Sequence, residues 1–127
     1  MATRGWTYAR RLTRIMELVA ALPAEHLGMT QWRCGAQCCA MGAAVQDPVL
    51  RAEGLDEVVT WDSWMKRYQH RPAYGGAKEI SAAALFLGLE RWQADHLFTD
   101  YSGDECRGET ARSLFLSRAA DLLQEML

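Results

Sequence analysis

A chain of 127 residues, half of them hydrophobic, has the size of one domain and enough apolar residues for a core that needs no disulfide staples. A net charge of −2 argues against a polyanion as the main partner, and no apolar run approaches the length that a bilayer requires. The charge is polarised. Residues 1–33 hold five Arg against two Glu, whereas 99–110 sets Asp100, Asp104, Glu105 and Glu109 against Arg107 alone.

The first helix is expected over Thr7–Leu22, where Tyr8, Leu12, Ile15, Val19 and Leu22 recur at steps of three and four and Pro23 ends the run. Arginines ahead of Ile15–Leu22 have the outline of a signal peptide. Glu17 interrupts that stretch, however, and its period is helical, so the chain is expected in the cytoplasm with its four Cys as reduced thiols. A connection follows to Arg33. A second helix is then expected over Ala36–Val45, whose small residues Ala36, Ala40, Gly42, Ala43 and Ala44 suit a central, closely approached position. Asp47-Pro48 reads as an N-cap with Pro in the first turn, and Gly54 as the stop of that short helix.

Residues 55–76 read two ways. Val58-Val59-Thr60-Trp61 is strand-like, while Asp62–Gln69 fits a helix carrying Trp61, Trp64, Met65 and Tyr68 on one side. Arg71–Gly76 reads as a loop by its breakers. Lys78–Leu87 and Glu90–Phe98 are expected as two helices joined at Gly88, followed by a polar loop and a last helix over Thr110–Met126. The expected fold is all-α: one helical domain over 1–127, a compact bundle of five to six helices with irregular connections and at most a short strand in 55–62.

Three of the four Cys lie within Cys34–Cys39. A metal reading joins Cys34, Cys38 and Cys39 to Cys106 or His96, but the paired spacing of a zinc knuckle is missing. A nucleophile reading puts Cys34 at a helix N-terminus, with His70 or His96 as base. The favoured reading is packing, with Cys38 and Cys39 as small buried residues, so no metal, cofactor or catalytic residue is assigned. The segment from Ala84 through Gly88, Leu89 and Ala94 to Leu97 has helix-turn-helix spacing, with Arg91 and Gln93 as its DNA-reading residues. Glu90 and Asp95 would repel phosphate there. Trp61 and Trp64 are read first as core residues; exposed beside Lys66, Arg67, His70 and Arg71, they would instead form a candidate protein-binding patch, because Trp and Arg dominate interface hot spots.

The run Trp32-x-Cys34-Gly35-x-x-x-Cys39-Ala40-x-Gly42, followed by Leu87-Gly88-Leu89, Ala94 and Leu97-Phe98, resembles small uncharacterised proteins common in bacteria and their phages. The resemblance covers about a fifth of the chain and implies an origin but no activity. A small residue is usual in that pattern where Cys38 stands, which singles out Cys34 and Cys39. The function expected is a non-enzymatic protein-interaction module, phage- or mobile-element-encoded, that binds and inhibits a host defence protein. Its partner surface would draw on Trp61, Trp64, Arg67 and Arg71, with Asp100, Asp104 and Glu105 entering a basic groove on the target. DNA binding and a Cys-centred site are the alternatives.

Overall fold

The computed structural model describes residues 5–29, 32–34 and 37–127, with Arg33, Cys34 and Gln37 described by backbone alone. Helix α1 spans Tyr8–Ala21 and is capped by Thr7, whose hydroxyl accepts from the Arg10 N–H at 3.1 Å. Leu12, Ile15 and Val19 are buried as their spacing requires. Tyr8 is half exposed instead, lying against Gly88, and Arg11 is buried. Arg11 donates to the Phe86 carbonyl at 2.9 Å, stands 3.6 Å from Glu53 and lies over the Phe86 ring at 4.4 Å.

The second helix begins later than its small residues suggest. A short antiparallel ladder, β1 (Arg33–Cys34) with β2 (Gln37–Cys38), precedes α2 at Ala40–Val45. Cys39 is the N-cap of α2: its Sγ accepts from the Gly42 N–H at 3.4 Å and faces the Trp32 carbonyl at 3.6 Å. The Cys39 N–H donates to the same carbonyl at 3.2 Å. Gly42 makes this possible, because a Cβ there would stand 1.6 Å from the Trp32 oxygen. Helix α3 (Pro48–Ala52) starts at Asp47, which caps Leu50 and takes a two-pronged ion pair from Arg14 at 2.9 and 3.0 Å.

Residues 56–78 overturn the all-α expectation, and with it the helical bundle. Strands β3 (Asp56–Asp62), β4 (Arg67–Tyr74) and β5 (Ala77–Lys78) form an antiparallel sheet in the order β3-β4-β5, so the fold is α+β. No helix occupies Asp62–Gln69, and the expected loop at Arg71–Gly76 is largely the end of β4. Pro72 is tolerated inside β4 because its carbonyl accepts from Glu79 on the side away from β3. The missing N–H points the same way and takes no bond from the β3–β4 ladder. The other edge of β3 is unpaired among the described residues.

Helices α4 (Ile80–Leu87) and α5 (Arg91–Phe98) meet at Gly88, whose φ of 65° closes the turn, and α6 runs over Gly108–Met126. Buried residues from all six helices and from Leu27, Met29 and Leu55 form one cluster, with Phe86, Phe98 and Phe115 as its largest members. The sheet lies against α4 and α2 by way of β4, and the free end of the β3–β4 hairpin stands out from that core.

Candidate functional site: a projecting hairpin and the cleft beneath it

The hairpin turn, 63–66, is organised by Asp62. Its Oδ1 accepts from the N–H groups of Trp64 at 3.0 Å and Met65 at 3.1 Å, and its Oδ2 accepts from the Gln69 amide at 3.1 Å. The Met65 and Trp64 N–H groups hold this carboxyl below the usual carboxylate range. Lys66 closes the turn at φ 52°, a conformation that costs a non-Gly residue about 1 kcal/mol or more.

Strand alternation divides the hairpin into two chemically different faces. On the outer face Trp61 and Tyr68 are direct cross-strand partners with ring centroids 5.1 Å apart in an edge-to-face contact. They remain 57% and 64% exposed; Val59, on the same face, and Trp64 in the turn, 89% exposed, extend the apolar tip, whereas the half-exposed Met65 also lines the cleft. His70 lies further along this face, paired with Glu57 at 3.0 Å. On the inner face Arg67, Gln69 and Arg71 occupy alternate positions of β4 and line a cleft of about 650 Å³. Arg71 is paired with Glu79, the residue before α4, which sits at φ 57°.

Met65 of the turn and residues of the core form the rest of the cleft. Cys39 and Phe98 are its buried members, and Met29, Trp32, Thr99 and Tyr101 also line it. Neither Cys39 nor Tyr101 supplies an active proton. Burial pushes the Cys39 thiol up to about 12, so it stays protonated and is a poor nucleophile or metal ligand. Burial likewise raises Tyr101 to about 12, and its hydroxyl donates to the Leu97 carbonyl at 2.6 Å.

The expected partner-binding residues are therefore partly united. Trp61, Trp64, Arg67 and Arg71 share one hairpin, but Trp61 is on the outer face and the arginines are on the inner face. Asp100 falls between two cleft-lining residues and lies 3.3 Å from His96. Asp104 and Glu105 belong to a 3₁₀ turn, Gly103–Cys106, leading into α6, and Glu105 caps Ser102. The residues that were missed are Tyr68, Gln69 and Glu79. A period of two through β4, Arg67-Gln69-Arg71, is the signal that would have found the inner face.

The Cys reading needs correction at the backbone. Cys34 lies in β1 and not at a helix N-terminus, and its side chain falls outside the described atoms. Among the described residues no three His, Cys, Asp or Glu side chains converge on a metal-sized site. The proposed DNA-reading residues are engaged within the chain. Arg91 bonds Asp95 and Ser81, while Gln93 closes the α5 capping box with Glu90 and reaches Glu125.

No protein-family model matches the chain, and neither the curated proteins nor the solved structures contain a significant match to it. Among the described residues no helix is long and apolar enough to cross a membrane.

Proposed function

We propose that this chain is a non-catalytic protein-interaction module that docks a partner on the outer face and tip of its β3–β4 hairpin. The observation that carries the reading is the Trp61–Tyr68 pair, two large rings in contact with each other and left in water on a projecting element. Preformed aromatic pairs lose little side-chain freedom on binding and are the commonest anchors of interfaces. Trp64 and Met65 continue the surface around the turn, and such patches on small proteins mark contact sites. A host protein of the defence class is the partner proposed; this rests on the resemblance of the Trp32–Gly42 run to phage proteins. A cytoplasmic setting fits the unbridged thiols of Cys39 and Cys106.

The test is affinity capture from bacterial lysate with three baits: the native chain, Trp61→Ala/Tyr68→Ala, and Trp92→Ala as an exposed-Trp control. A protein retained by the native and control baits and lost with the hairpin variant supports the reading. Identical profiles from all three baits refute it. Circular dichroism of each bait establishes that the exposed substitutions leave the fold intact.

A further inference from the structure

The free side of β3 resolves residue by residue. Successive residues of an antiparallel strand send their N–H and C=O groups to alternate sides. The Pro72 carbonyl accepts from the Glu79 N–H at 2.8 Å and so faces away from β3. Pro72 lies opposite Glu57, so that pair exchanges no hydrogen bond, and the alternation sets the rest of the register. Val58, Thr60 and Asp62 bond β4. Glu57, Val59 and Trp61 turn their main-chain groups to the margin that no described residue pairs. The Glu57 N–H is taken by the Asp56 carboxylate at 2.7 Å. The main-chain groups of Val59 and Trp61 have no partner among the described residues, and both residues are half exposed.

These two residues also build the outer face. Their side chains form one row on it, with the Trp61 ring against Tyr68. A chain laid along the edge would gain main-chain hydrogen bonds and extend the aromatic face together. Charge narrows the occupant. Strand β3 carries Asp56, Glu57 and Asp62 and no basic residue. Each carboxylate already has contacts within the chain: Asp56 with Arg51, Glu57 with His70, and Asp62 with the turn and Gln69. Neutralisation is therefore not what a partner supplies. Charge acts by selection, because an acidic residue set directly opposite Asp56 or Asp62 is repelled and a basic one attracted.

We propose that the partner is held as an extended segment that adds antiparallel to β3. Its main chain bonds Val59 and Trp61, its apolar side chains continue the Val59–Trp61 row, and its ends are Lys or Arg where they face Asp56 and Asp62. This rests on the docking reading and specifies its partner as a strand-forming segment with basic flanks.

Isothermal titration of the full chain with the peptide acetyl-Lys-Val-Thr-Val-Thr-Val-Lys-amide tests the pairing without any variant. The peptide is N-methylated on both Thr, so that it cannot stack on itself. Its Val nitrogens face β3 and its Thr nitrogens face solvent. Saturable 1:1 binding is expected, with the Val59 and Trp61 amides gaining protection from hydrogen exchange. A further methyl on the central Val nitrogen should weaken binding about tenfold. Glu in place of both Lys should weaken it about threefold. Val59→Pro removes an N–H that the fold does not use, as Pro72 does on β4, and should abolish peptide binding with circular dichroism unchanged. No binding at millimolar concentration, indifference to the central methyl, equal binding of the Glu-flanked peptide, or no protection at Val59 and Trp61 would each overturn the proposal. In lysate capture, a protein lost with Trp61→Ala/Tyr68→Ala but kept by Val59→Pro would overturn strand addition and leave the docking reading standing. Peptide binding as expected, with identical capture by every bait, would count against the docking reading alone.

Discussion

Gly42→Ala separates two opposite expectations. In an ordinary helix, replacing Gly by Ala stabilises by about 1 kcal/mol through chain entropy. Here the new methyl would lie 1.6 Å from the Trp32 oxygen and 2.8 Å from the Cys38 Cβ. Ordinary contact begins near 3.4 Å, so the carbonyl would have to retreat by about 1.8 Å. That movement breaks the Cys39 N–H to Trp32 hydrogen bond and strips the thiol cap of its second contact. One hydrogen bond at about 1 kcal/mol, and overpacking at about 3 kcal/mol, outweigh the propensity gain and leave a net loss of about 3 kcal/mol. For a chain of this size the loss lowers the melting temperature by roughly 10 °C. Urea unfolding and a thermal melt, each followed by circular dichroism, measure the two quantities. A variant as stable as the native chain, with an unchanged dependence on urea, would show that the Trp32 carbonyl does not rest on α2, and the described wall of the cleft would fall with it.

Other consequences follow from the buried charges and thiol. Arg14 holds the Asp47 carboxyl below its ordinary value of 3.8, so the stability it supplies is complete above about pH 4 and lost as pH falls through the lowered folded value. Asp47→Asn keeps a helix cap but loses the ion pair with Arg14, and should therefore be less stable at pH 7 by about 2 kcal/mol, with the gap closing in acid unfolding curves. A thiol near 12 in place of 9.0 has about a thousandfold less thiolate at pH 8, so iodoacetamide should label Cys39 only on unfolding, as read by peptide mass mapping. Arg11→Met leaves Glu53 and the Phe86 carbonyl without their cation and should cost about 3 kcal/mol, with part recovered in Arg11→Met/Glu53→Gln by denaturant cycles.

The helical half of the fold was legible because its signals are local. The stripe of α1, the Asp47-Pro48 start and the Gly88 turn are each written in a few neighbouring residues. The hairpin was not, for a geometric reason. Trp61, Trp64, Met65 and Tyr68 stand at i, i+3, i+4 and i+7, the spacing of a helix face. A four-residue turn places residues seven apart directly across from one another, so the same intervals mark a cross-strand pair and two turn residues. Pro72 added to the error, since its harmlessness depends on which side of β4 the missing N–H faces. The start of α2 was misplaced because Cys is not among the usual capping residues, and only the Trp32 backbone, brought back through the β1–β2 ladder, turns Cys39 into one. For the site, the aromatic and arginine residues were identifiable by type. Their division between two faces depends on strand register, which a single sequence encodes weakly.

The margin of β3 that no described residue covers has a colloidal consequence. A strand with a vacant ladder is a template on which another molecule can grow, and carboxylates along it are a common deterrent. If two copies met antiparallel about Val59, Asp56 of each would face Asp62 of the other, repelling at both ends of the contact. The turn N–H groups that keep Asp62 ionised to lower pH extend that protection into mildly acidic solution. Once the Asp62 carboxyl is protonated the deterrent weakens, and light scattering during an acid titration should rise there before the helices melt.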